Sequence, residues 1–192
     1  MSVLAVPHAH VWTRSEYHKM AELGFFDHQR VELIEGQVID MRSMGSEHAT
    51  AVALTARAVE RVFGPGYFTR WQRPFGVGEL SEPEPDVAVI AGEIRDYTAE
   101  HPTIAVLVVE VADTSLAYDR AEKASLYAKA GVAEYWIVNL IDRQLEVHRS
   151  PVLAREAAYG FEYADTAVFT GAEYVSPLAL PHATIAVADL LP

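Results

Sequence analysis

The hydrophobic period changes twice between Val106 and Asn139. "VLVVEVAD" is a near-continuous apolar run rich in β-branched residues, the pattern of a strand covered on both faces. "LAYDRAEKASLYAKA" follows with helical spacing, and Gly131 ends it. "AEYWIVNL" returns to a strand, with "RQLEVHRS" as its hairpin partner after a turn at Asp142-Arg143. The succession of strand, helix and strand over 104–112, 117–130 and 134–140 predicts a parallel crossover, which is nearly always right-handed.

Upstream, Thr13 and Glu16 form a capping-box pattern that opens a helix over 14–23, with Gly24 as its stop. "RVELIEGQVIDM" reads as a hairpin turning at Glu35-Gly36. "SEHATAVALTARAVERVFG" has Val52, Ala56, Val59 and Phe63 on one helical face. Ser46 is positioned to cap this helix and Gly64 to end it. "GYFTRWQRPFGV" alternates as a strand, and "SEPEPDVAVI" is a proline-stiffened entry into a strand over 86–91. After residue 151 the pattern predicts only short strands and turns, the last residues folding back as a helical turn or an edge strand. The elements add up to one domain over 1–192, with a core over about 13–150. Its class is α/β (α+β), a mixed sheet flanked by helices with added β-hairpins.

Composition narrows the function. A chain of 192 residues, 51% apolar and 22% charged, suits one soluble domain. It lacks cysteine, which excludes disulfide frameworks and thiolate metal sites. No stretch approaches the roughly 20 apolar residues of a membrane helix, and the start makes a poor signal peptide, so no membrane partner and a cytoplasmic location are expected. A net charge of −12 argues against a broad basic surface for nucleic acid. It leaves room for a cleft of carboxylates in which a divalent metal meets the phosphate.

Three features point to such a cleft. Asp86 stands immediately after Pro85 at the mouth of an apolar strand. Glu110 interrupts the apolar run of the crossover strand, and a buried carboxylate costs several kcal/mol unless paired, protonated or metal-bound. Asp119, Lys123 and Tyr127 recur every four residues and share a helix face. If the strands at 86 and 110 are neighbours, their carboxylates form a hard-oxygen site suited to Mg²⁺ or Mn²⁺, with a lysine beside it to orient or deprotonate water. Each residue also has an ordinary reading. Asp86 can be a turn residue, Glu110 can pair with a structural arginine, and Asp119 and Lys123 can be an exposed ion pair of the usual helical kind. Ser115 and Thr114 read as caps, and Tyr127, Tyr135 and Trp136 as packing.

The order of "RVELIEGQVIDM", "GSEHA", "SEPEPDVAVI" and "LVVEVADTSLAYDRAEKASLYAKAGVAEYWIVNL" resembles the PD-(D/E)XK restriction-endonuclease-like superfamily. Within it, the chain is similar to the Uma-two family of "putative restriction endonucleases" over about residues 13 to 150. The resemblance implies a restriction-endonuclease-like sheet with a divalent-metal site at Asp86 and Glu110. The superfamily lysine, two positions after the glutamate, is replaced here by Ala112. The resemblance implies that Lys123 supplies it instead. Glu32 matches the glutamate of the family's recurrent motif and is expected as a third acidic residue of the site. His48, at the start of the long helix, is a candidate to touch a phosphate or a bound water, or simply a capping or surface histidine. Glu35 beside Gly36 reads as a turn residue.

Two function classes follow. One is a Mg²⁺- or Mn²⁺-dependent endonuclease acting on nucleic acid, chiefly DNA, through Asp86, Glu110, Lys123, Glu32 and His48, and expected as a homodimer. The other is a catalytically silent nucleic-acid-binding or protein-interaction module that keeps the fold. A hydrolase of small phosphorylated compounds has no dedicated motif in the sequence.

Overall fold

In a computed structural model, which describes residues 8–41 and 43–192, the chain builds ten strands and four α-helical segments among the described residues. Helix α1 (Arg14–Glu22) opens on the expected capping box, Thr13 and Glu16 exchanging backbone and side-chain hydrogen bonds. Strands β1 (Val31–Ile34) and β2 (Gln37–Asp40) form the expected hairpin. Its turn holds Glu35 at φ +46° and Gly36 at φ +76°, the paired positive φ of the tight hairpin turn. Helix α2 (Ser46–Phe63) ends at Gly64 as read. Its start differs: the cap residue is Gly45, which has no side chain to cap with, and Ser46 is already helical.

Strands β3 (Tyr67–Arg70), β4 (Val87–Ala91) and β5 (Leu107–Ala112) pair antiparallel to one another in succession. The crossover helix is interrupted. Helix α3 (Leu116–Tyr118) passes into a π-helical turn, Asp119–Lys123, before helix α4 (Ala124–Lys129). Strands β6 (Glu134–Asn139), β7 (Gln144–Leu153) and β8 (Phe161–Thr170) complete one sheet in the order β3-β4-β5-β6-β7-β8. Its parallel step is β5 to β6, as the crossover predicts. The C-terminal reading is corrected here. β8 is a ten-residue strand rather than one of several short ones, and only β9 (Tyr174–Val175) and β10 (Ile185–Ala186) are short. The last residues fold back through a helical turn over Val187–Asp189.

Alternation along the central strands divides the core. Val87, Val89, Val109 and Val111 pack with α2, while Ala88, Ile90, Val108 and Ala112 pack with the crossover helix. Glu110 is in step with the second set, as is Asp86, one residue before β4. Both carboxylates therefore belong to the side covered by the crossover helix and the β1–β2 hairpin. Among the described residues, no helix is long and apolar enough to cross a membrane.

Candidate functional site

A cleft of about 770 Å³ opens between the β1–β2 hairpin, the start of α2, the ends of β4 and β5, and the crossover helix. Glu32, His48, Asp86, Glu110 and Lys123 all line it. The five residues singled out in the sequence thus come together from five separate elements.

Asp86 and Glu110 hold each other through the backbone. The Asp86 N–H donates to Glu110 Oε2 at 3.0 Å, and the Val111 N–H donates to Asp86 Oδ2 at 2.9 Å. The antiparallel register that sets Val87 opposite Val109 produces this reciprocity. Asp86 Oδ1 accepts from Gln72 Nε2 at 3.0 Å and lies 3.2 Å from His48 Nε2. Glu110 Oε1 accepts from the Tyr127 hydroxyl at 2.7 Å and lies 3.4 Å from Lys123 Nζ. Lys123 also donates to Glu32 Oε2 at 2.6 Å, while Glu32 Oε1 accepts the Glu84 N–H at 2.9 Å. Each carboxylate oxygen can accept more than one hydrogen bond, so these contacts leave lone pairs for a further ligand.

The charges divide unequally. Burial pushes Glu110 up to about 8, the charges of Asp86, Asp119 and Glu32 adding to it and Lys123 opposing. Asp86 is also buried, but His48, the Val111 N–H and Gln72 outweigh the burial and hold its carboxyl below the usual range. Burial acts against the charge of Lys123, yet Glu32 and Glu110 keep the ammonium well above its usual value. Desolvation likewise opposes the His48 imidazolium, and the bond to Asp86 raises it nonetheless.

Two readings are corrected. Asp119 and Lys123 are not an exposed ion pair, since both are buried. Asp119 accepts from the Ser115 hydroxyl at 2.5 Å, so Ser115 turns to Asp119 instead of capping the helix. Burial raises Asp119 to about 6 against the pull of Ser115 and Lys123. The ordinary readings of Asp86, Glu110 and His48 also give way: Asp86 bonds across strands, no arginine reaches Glu110 within salt-bridge distance among the described residues, and His48 faces the cleft. Glu35 is the expected turn residue, paired with Lys129 at 2.6 Å.

Sequence reasoning missed Gln72; it put Asp119 and Tyr127 on the helix face of Lys123 but did not give their roles. Gln72 sits at φ +47°, held where its N–H donates to Pro85 O at 3.0 Å, and that turn aims its amide at Asp86. Tyr127 is core packing, as read, but its hydroxyl also orients Glu110. The i, i+4 spacing to Lys123 was the available signal for both Asp119 and Tyr127.

The sequence profile of the Uma2 family, described as "Putative restriction endonuclease", matches residues 14–188. The chain belongs to the Uma2 family. No curated protein matches it. Its structure is similar to the crystal structure of a putative nuclease belonging to DUF820 from Anabaena variabilis. The two share 17% identity at a TM-score of 0.69, with 93% of this chain and 96% of the other covered. That likeness shows a nuclease-like fold for this Uma2 chain.

Proposed function

We propose that this Uma2 protein is a Mg²⁺- or Mn²⁺-dependent endonuclease hydrolysing phosphodiester bonds in nucleic acid, DNA foremost. The supporting observation is the convergence of Asp86, Glu110 and Lys123 on one cleft of a nuclease-like fold. The donor set fits a hard divalent ion. Asp86 and Glu110 would hold it, and water and phosphate oxygens would complete its shell. Among the described residues no three His, Asp or Glu side chains form a ready-made cage, so most of the shell would have to come from water and phosphate. Such an ion lowers the pKa of water and offsets charge growing on the phosphate.

The remaining work falls to the chain. Tyr127 and the N–H groups of Asp86 and Val111 fix the two carboxylates in place. Glu32 positions Lys123 and keeps it cationic, so Lys123 acts as a hydrogen-bond donor and charge stabiliser rather than as a base. His48, bonded to Asp86 at the start of α2, faces the cleft where a phosphate would enter.

The test is incubation with plasmid and single-stranded DNA in Mg²⁺ or Mn²⁺. Cleavage is expected from the wild type and not from Asp86→Ala or Glu110→Ala, and cleavage that persists in both variants would sink the assignment. The alternative, a silent binding module, has two observations in its favour: Ala112 stands at the usual lysine position, and Lys123 is closed onto Glu32. DNA binding in Ca²⁺ without cleavage in Mg²⁺ or Mn²⁺ would favour that module.

A further inference from the structure

The two edges of the six-stranded sheet are protected differently. β3 is four residues long, and the ladder it forms with β4 runs one rung further into the next segment. Gly92 N–H donates to Gly66 O at 2.8 Å, Phe68 packs on Tyr97 with ring centroids 5.4 Å apart, and the Tyr97 hydroxyl donates to Ala91 O. β8 is ten residues long and pairs on one side, with β7. Its residues 164–168 are all exposed. It contains no proline, lysine or arginine, and its charges are the exposed carboxylates Glu162 and Asp165. An edge this long and this bare is a template for another strand.

We propose that β8 is the homodimer interface, pairing antiparallel with β8 of a second copy about a two-fold axis at Thr166. The strand's own sequence favours a second copy. A two-fold axis perpendicular to the sheet sets one residue opposite its own counterpart. An axis at Asp165 would oppose two carboxylates. An axis at Ala164 would leave 168–170 without partners, and one at Ala167 would leave 161–163 without partners. The axis at Thr166 pairs everything from 163 to 169, the Thr170 N–H and C=O being already engaged by Glu173. It sets Glu162 opposite Thr170, Asp165 against Ala167, and Ala164 against the half-exposed Val168. No carboxylate faces another, and the Ala164–Val168 pair is of the aliphatic kind that stabilises neighbouring strands. The result is one continuous sheet, six strands from each copy. The net charge of −12 on each copy opposes association, so added salt strengthens the dimer.

The cysteine-free chain makes the test direct. Thr166→Cys places two thiols across the axis, within reach of a disulfide. Glu162→Cys faces Thr170 of the other copy and has no thiol opposite. Sedimentation of the wild type is expected to show a dimer that tightens with salt. Mild oxidation is expected to cross-link Thr166→Cys nearly completely and Glu162→Cys hardly at all. Thr166→Lys, with two ammonium groups facing across the axis, is expected to be monomeric with an unchanged circular-dichroism spectrum. A wild-type monomer at the highest soluble concentration, or equal cross-linking of the two cysteine variants, would overturn the proposal. Neither outcome depends on whether the protein cuts DNA.

Discussion

Lys123 is 3% exposed by side chain and lies between two carboxylates from distant parts of the chain. Removing one member of a buried ionic cluster leaves the others unpaired, a loss of about 3–5 kcal/mol. Lys123→Met is therefore expected to lower stability by about that much in urea unfolding. Adding Glu32→Gln should return part of the loss, because one stranded charge then disappears; an additive double variant would show that the pair is not coupled. His148 makes a second prediction. Burial depresses its imidazole, with Glu146 opposing and Arg120 assisting, and its Nε2 has no hydrogen-bond partner. A histidine held neutral contributes stability that is full above its unfolded pKa of about 6.5 and is lost as pH falls below it. Unfolding midpoints between pH 5 and 8 should fall more steeply on the acid side in the wild type than in His148→Gln, and parallel profiles would refute this. At this scale the sequence revealed Asp86 and Glu110 because a carboxylate in an apolar run is conspicuous. It concealed the Tyr127–Glu110 bond because a hydrogen bond between separate elements leaves no local spacing, and it read Ser115, four residues before Asp119, as a cap.

The crossover helix contains a π-helical turn, a feature often found at functional sites. It brings Asp119 and Lys123 to the buried side together, whereas regular helix spacing alone suggested an exposed i, i+4 pair. Helices α1 and α2 and the β5–β6 crossover were legible because capping, period and glycine stops are local signals. β8 was not, since its exposed residues are mixed and lack the alternation that marks a half-buried strand. Glycines at positive φ supply the test at this scale. Gly131 sits at φ +74° with open space around an added Cβ, so Gly131→Ala should cost about 1–2 kcal/mol from backbone conformation alone. At Gly36, φ is +76°, and a Cβ would lie 2.2 Å from Val11 Cγ1 and 3.0 Å from the Trp12 nitrogen. Gly36→Ala should therefore lower the thermal midpoint further than Gly131→Ala, and an equal drop would mean that the close approach is not maintained in solution.

Over the whole molecule the charge is acidic, and the cleft carries it too. Glu32, Asp40, Glu84, Asp86, Glu110, Asp113 and Asp119 line it, against Arg30, Lys123 and His48. Arg30 lies 3.6 Å from Glu84, and Lys123 is closed onto Glu32. Few cations remain there to displace counterions from DNA. Affinity for an oligonucleotide in Ca²⁺ should therefore fall only shallowly with monovalent salt, with a logarithmic slope of about −2 or less in magnitude. Removing the divalent ion should weaken binding far more than raising the salt. A steep salt dependence in the absence of any divalent ion would place the binding surface elsewhere.

The Lys123–Glu32 bond joins residues 91 positions apart, and the cleft has no lysine in place until that bond can form. Synthesis proceeds from the N-terminus, so the hairpin bearing Glu32 emerges long before the helix that answers it. A nascent chain consequently holds Glu32 without its cation through much of its elongation. Assembly of the cleft must wait for the crossover to close, so any cutting activity would be withheld from a growing polypeptide and released only once the central sheet is complete.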